Sequence, residues 1–240
     1  MKKIFILIAV SLLGIKGYAC ENCEDYNNDD FQIKGVRVKH FPEIAATIWE
    51  IEVKGQAGNT TPVPAGQLNG APVLGYVFPT TLKPTDVGFG VIEGIVALAL
   101  TSHPDFDDTP LWNENSDGDY ENDGVVWHPH WVVLIKDKRV EGGLAVKEFN
   151  PEDKTVVLPP TNPGMSMYMD SPGYQIITKG DIIRVVVPDY RINNKKDFSF
   201  DGVAAYMQVN TGGGDKPMLG VYKVYSVASG DLSFPFKLKQ

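Results

Sequence analysis

Three of the four histidines, His103, His128 and His130, fall in residues 84–135, a stretch that carries ten Asp or Glu residues and neither Lys nor Arg. His128 and His130 are two apart in Trp127-His-Pro-His-Trp131, so on an extended strand both imidazoles point to one face and both tryptophans to the other. Two neutral rings at fixed spacing each offer a lone pair, and a third ligand from a neighbouring loop would complete a site for zinc or copper. His103, in His103-Pro-Asp-Phe-Asp-Asp, is the best third ligand. Asp105, Asp107 or Asp108 would supply an oxygen or orient an imidazole from behind. Acidic groups this dense repel one another unless a cation sits among them, so the stretch points to a metal site. Pro129 removes a ladder donor and places the histidines on an edge strand or at a strand's first residues.

Between His103 and His128 runs a second pattern, Asn113-x-Asn115-x-Asp117-Gly-Asp119-x-Glu121. It resembles the calcium loop of EF-hand proteins, in which alternate oxygen side chains wrap one hard cation and a glycine, here Gly118, permits the sharp turn. Asn113 replaces the usual first Asp, Gly124 stands where the bidentate Glu belongs, and no flanking helix pair is evident. What the resemblance implies is therefore a calcium loop outside the EF-hand fold, with Asn113, Asn115, Asp117, Asp119 and Glu121 as ligands. A third cluster is Met165-Ser-Met167-Tyr-Met169, whose period of two puts three thioethers on one face. Soft sulfur ligands select Cu(I), while the commoner use of such a run is to fill an irregular core surface.

Other chemistries leave little trace. There is no Gly-x-Ser-x-Gly elbow, no Gly-rich phosphate loop after a strand and no His-Glu-x-x-His pair. A cupin-like enzyme would place Glu shortly after the His-x-His pair and a later His on another strand; Glu141 is too far downstream and no histidine follows. Trp112, Tyr120, Trp127 and Trp131 offer aromatic faces to a sugar, although core packing would claim some of them.

Lys2 and Lys3 precede an apolar run from Ile4 to Ile15, and Gly17-Tyr18-Ala19 offers small residues for cleavage, the pattern of an export signal over residues 1–19. Cys20 follows directly, which raises a lipid anchor on Cys20; a soluble product, or a disulfide with Cys23, is the alternative in an oxidising compartment. The expected location is extracytoplasmic: periplasmic, anchored to an outer membrane, or secreted. No segment is a membrane span, since the apolar run is shorter than the roughly 20 residues required. The chain's formal charge is −8, and residues 84–135 hold ten of its 30 acids. Away from that stretch and the signal, acids and bases nearly balance, so no basic stripe exists to meet nucleic acid or an anionic membrane surface.

The elements that must position these residues read as strands. Thr47, Trp49, Ile51 and Val53 alternate with Ile48, Glu50, Glu52 and Lys54, and Gly35 marks a bulge between Phe31-Gln-Ile33 and Val36-Arg-Val38. Further strands are expected at 72–78, 130–136, 144–149, 154–158, 174–178, 182–187, 203–209, 218–227 and 232–238, with a Gly-rich hairpin loop at 210–217. Val91 to Leu100 fits either a short helix or a buried strand. The expected fold is all-β, an antiparallel β-sandwich or jelly-roll-like domain over residues 31–240, with a long metal-binding loop and at most one short helix. Residues 20–30 form an N-terminal segment with the cysteine pair. The function this supports first is an exported, non-enzymatic protein that holds copper or zinc by its histidines. A metal-dependent hydrolase with an open three-histidine site comes second, and a calcium-stabilised carbohydrate-binding or adhesion module third.

Overall fold

The computed structural model describes residues 20, 22–109, 113, 117–119 and 123–239. The expected signal at 1–19 lies outside them. Their strands are β1 (Ile33–Phe41), β2 (Ala46–Val53), β3 (Pro72–Pro79), β4 (Ile95–Ser102), β5 (His128–Lys136), β6 (Leu144–Val146), β7 (Met169–Asp170), β8 (Ile176–Lys179), β9 (Ile182–Pro188), β10 (Ser199–Phe200), β11 (Val203–Val209), β12 (Leu219–Val227) and β13 (Phe236–Lys237). Helical segments among the described residues are single 3₁₀ turns, and none of them is long and apolar enough to cross a membrane.

The all-β, antiparallel expectation holds. Rather than stacking as one of two open sheets, however, the larger sheet closes on itself: β4, β3, β11, β12, β6 and β5 pair in that order, and β5 returns to pair with β4. This six-stranded barrel carries β7 as an extension of β5, while β1, β2, β9 and β8 form a separate four-stranded sheet. Closure is narrowest between β12 and β6, which pair only at Gly220 and Ala145.

Because side chains alternate along a strand, each barrel strand serves two cores. Leu74, Tyr76, Phe78, Leu98, Leu100 and Trp131 face outward and pack with Trp49, Ile51 and Val185 of the four-stranded sheet. Trp49 sits at the centre of that layer, edge-on to Phe78 at 5.4 Å and to Trp131 at 5.8 Å between ring centroids. The opposite faces, among them Val77, Ala97, Ala99, Val132, Ala205 and Val221, line the barrel lumen. The predicted alternation in β2 is found, with Thr47, Trp49, Ile51 and Val53 buried. So are the irregularity between Ile33 and Gly35 and the hairpin loop joining β11 to β12.

One open reading is decided and two expectations change, each for a physical reason. The ambiguous run at 91–100 is strand β4, buried on both faces by the packed sheet and the lumen, so it lacks the polar alternation that marks a half-exposed strand. Residues 154–158 form no strand: Val157 is largely exposed, its carbonyl accepts from Gly90, and Pro159-Pro160 cannot continue a ladder. The run 232–238 shrinks to Phe236–Lys237, because Leu232 and Phe234 adopt positive φ and Pro235 intervenes.

Candidate metal centre

The register of β4 against β5 brings the histidines together. Ala99 lies opposite His130 and Thr101 opposite His128, and His103, one residue past the end of β4, keeps the side of Ala99 and Thr101. A backbone bond from His103 N–H to Gly124 O, 2.7 Å long, ties the two ends of the acidic loop beside them. Pro129 is the second residue of β5, ahead of Trp131 where pairing with β7 begins, as a residue lacking N–H requires. His103, His128 and His130 are 1, 4 and 2 % exposed, and Asp108, supplied by the loop, is 7 % exposed.

These four residues each present one ligand atom, and the four atoms lie within 4.8 Å of one another. Oδ1 of Asp108 is 3.4 Å from His103 Nε2 and 3.3 Å from Nε2 of both His128 and His130. A tetrahedral ion with bonds of about 2.0–2.1 Å sets its donors about 3.3 Å apart, so these separations are those of a ligand shell. Nε2 of His103 and His128 approach to 2.8 Å.

On the far side of two rings a backbone carbonyl turns Nε2 inward, where a cation could sit. His103 Nδ1 donates to Phe106 O at 2.9 Å, and His128 Nδ1 donates to Val126 O at 2.6 Å. A carbonyl only accepts, so both rings carry a proton on Nδ1 and turn Nε2 towards each other and towards the Asp108 carboxylate. One extra proton would bridge a single pair. It would leave the rest exposed to repulsion, and Asp108 Oδ1 and His130 Nε2 are buried atoms that find no hydrogen-bond partner. A metal ion satisfies all four at once.

Electrostatics point the same way. Burial lowers the basicity of His103 against the pull of Asp108, which favours the neutral ring that a metal needs. Burial alone would push the Asp108 carboxyl up; positive charge carried within the imidazole cluster, from His130 first and then His103, holds it well below the usual carboxylate range, and a cation bound there would act in the same sense. Neutral imidazoles and an ionised carboxylate are the ligand forms of these groups.

Behind the donors stands a supporting layer that the sequence did not single out. His103 stacks on Phe106 with ring centroids 4.1 Å apart. Ser171 Oγ lies 3.1 Å from His130 Nδ1, next to fully buried Asp170, which is paired with Arg191 at 3.0 Å. Removing the hydroxyl with Ser171→Ala leaves His130 as a ligand but frees its ring to turn. Metal affinity is expected to fall roughly 10–100-fold with little change in fold, checked by competitive titration against a chromophoric chelator.

The other candidate residues are placed as follows. Asp105 accepts from the backbone N–H groups of Ala65 and Gly66 at 3.0 and 2.5 Å, pinning the 55–71 loop rather than facing the histidines. Asp107 turns to the N–H of Thr109 at 2.7 Å. Of the three neighbouring acids, Asp108 alone joins the cluster. Met165, Met167 and Met169 do share one face: all three line a small cavity of about 10 Å³ together with His103, Asp108 and His130. In the calcium-type loop, Asp117 and Asp119 are exposed and Asp117 accepts from Asp119 N–H at 2.8 Å across Gly118, whose φ is +88°. Asn113 Oδ1 is buried without a hydrogen-bond partner, and Asn115 and Glu121 lie outside the described residues.

Of the aromatic candidates, Trp131 is wholly buried and Trp127 packs at a 41° tilt against Tyr76 with its Nε1–H donated to Gly58 O, while Trp112 and Tyr120 lie outside the described residues. Cys20 and Cys23 are joined by a disulfide.

Fold and site together define an antiparallel β-barrel protein with a buried cluster of three histidines and one aspartate, able to hold a metal ion. No protein-family model, no curated protein and no solved structure matches the chain.

Proposed function

We propose that this is an exported metal-binding protein that holds one transition-metal ion, zinc before copper, through His103, Asp108, His128 and His130. The observation that carries the reading is the convergence of three imidazole Nε2 atoms on one buried carboxylate oxygen, with two rings locked from behind by backbone carbonyls. Four protein donors converging within 4.8 Å match in number and type the closed sites that retain zinc, and a closed site holds its ion rather than opening it to a substrate. Copper is favoured by a separate feature, the three methionines around the adjoining cavity, whose thioethers suit Cu(I). The acidic loop at 113–121 would take calcium and stiffen the segment that delivers Asp108. Export rests on the signal-like residues 1–19 and agrees with the Cys20–Cys23 disulfide.

Elemental analysis of protein purified without chelators tests this. One equivalent of zinc or copper is expected, and it should disappear when His103, His128 and His130 are all replaced by Ala while any calcium remains. Absence of both metals, or a content indifferent to the triple substitution, would sink the proposal.

A metal-dependent enzyme is the second reading, favoured by one observation. His128 borders an open surface cleft of about 320 Å³ whose walls include Trp127, Tyr174, Asn113 and Thr109. For that chemistry Asp108 would have to yield its place to a water, since metal-assisted hydrolysis needs an open coordination position.

A further inference from the structure

The barrel lumen below the metal centre is incompletely filled. It holds a cavity of about 70 Å³, walled by side chains such as Val77, Val132, Leu144, Ala205, Met207 and Val221, with His130, Thr101 and Met169 at the metal end. From these features we infer that the lumen is a binding site for one small, uncharged, apolar molecule of the size of xenon, dioxygen or a two- to three-carbon hydrocarbon, held against the His130 side of the centre.

The chemistry of the wall sets the ligand class. Thr101 and His130 are its only polar side chains, and both are engaged: Thr101 Oγ lies 3.5 Å from His128 O, while His130 meets Ser171 through Nδ1 and the ligand cluster through Nε2. A buried water needs two to four polar partners, so the lumen has nothing to retain one. No charged side chain lines it, which excludes ions. Its volume is about half the ~150 Å³ of an engineered apolar cavity that stays dry and binds benzene or xenon, which caps the ligand at a few heavy atoms.

The space follows from the sequence. Ala99, Gly75 and Ala205 occupy lumen-facing positions on three consecutive barrel strands, with Gly75 directly opposite Ala205 in register. Gly75 already yields its place to Met207, whose Cε lies 2.5 Å from where a Cβ would stand. Valine at Ala205 would fill the gap as its neighbours Val203 and Val209 fill theirs.

A route to the lumen passes the methionines. The small cavity lined by Met165, Met167 and Met169 shares Thr101, His130, Met169 and Leu219 with the lumen wall, so the two spaces meet at these four side chains. Unbranched thioether side chains change rotamer easily and would part to admit an apolar molecule. Lumen binding stands on the wall alone, whereas its contact with a metal rests on the function proposed above.

Xenon is the probe. In the full chain, both metal-loaded and metal-free, saturable ¹²⁹Xe chemical-shift changes and one xenon peak in the lumen of pressurised crystals are expected. Ala205→Val, or Val221→Ile on the adjoining strand β12 if the first variant folds poorly, should weaken xenon binding at least tenfold and leave metal content unchanged. No saturable xenon, ordered water in the lumen, or xenon binding equal in the wild type and the filled variant would overturn the inference. A protein that binds xenon but no metal would refute the metal reading and leave this one standing.

Discussion

Replacing Asp108 with Asn is expected to move two measurements in opposite directions: metal affinity falls by more than about 100-fold, while the metal-free protein becomes more stable. The first follows because loss of merely supporting groups already costs 10–100-fold, and Asp108 is the only charged donor of the set. The second follows from His130 Nε2, a buried acceptor with no hydrogen-bond partner beside Asp108 Oδ1. In the metal-free protein Asp108 Oδ1 faces three Nε2 atoms at 3.3–3.4 Å, and an amide of the same shape turns an N–H donor towards them. Satisfying buried acceptors in this way is worth about 1–3 kcal/mol, or roughly 2–12 °C in Tm for a protein of this size.

Calorimetry of both proteins with and without chelator measures each arm. If the cluster were a buried ion pair held by protons, the same substitution would remove a charge partner and destabilise the chelated protein by about 3–5 kcal/mol at neutral pH. A drop of that size would discard the metal site. Wild-type protein with saturating metal should gain stability over its chelated form, about 4 kcal/mol when free metal is ~1,000 times Kd. That gain is lost in acid. Burial lowers the His103 pKa, so the folded chain prefers the neutral ring; stability from this preference is complete above about 6.5 and declines as pH falls towards the lowered value, where protons also displace the metal.

Gly124→Ala should damage the site from a residue that contributes no ligand. A Cβ there would run into Phe106 O and His103 O, and would come within 2.6 Å of His103 Nδ1. Two of these are backbone atoms that cannot swing aside, and Phe106 O is the acceptor that fixes the His103 ring. One added methyl therefore pushes apart the ring, its anchor and the loop that carries Asp108. We expect a stability loss of about 1–3 kcal/mol, as for overpacking a filled site, and a metal-affinity loss of at least tenfold. Metal titration with the His103 imidazole resonances as reporter checks it, and near-wild-type affinity with an unmoved His103 signal would show that the loop closes on the site in another way.

Much of the site was legible in the residues themselves. The two-residue spacing of His128 and His130 dictates one shared face on any extended strand, and the absence of Lys and Arg from residues 84–135 left the acids there no cationic partner in their own segment. His103 as third ligand followed from composition alone, there being one other histidine, His40, which pairs with Asp189 far from the cluster in sequence. The strands with one wet face, such as β2, were equally readable because exposure writes the period of two into the sequence.

Selection among equals was decided by the tertiary structure. Asp105, Asp107 and Asp108 are the same chemistry within four residues; which one becomes a donor depends on how the loop crosses the barrel mouth, where Ala65 and Gly66 engage Asp105 and Thr109 engages Asp107. Ser171, Phe106 and Gly124 carry no motif, and their roles exist only because β4, β5 and the residues after β7 meet. Barrel closure is likewise a long-range event: β4 and β5 pair across some 25 intervening residues, which brings His103 to the mouth that His128 and His130 occupy, and the separate pairing of β5 with β7 brings the methionines there. Local sequence determines which side a residue faces, through backbone geometry alone. What it faces is set by contacts between distant segments, which no spacing along the chain encodes.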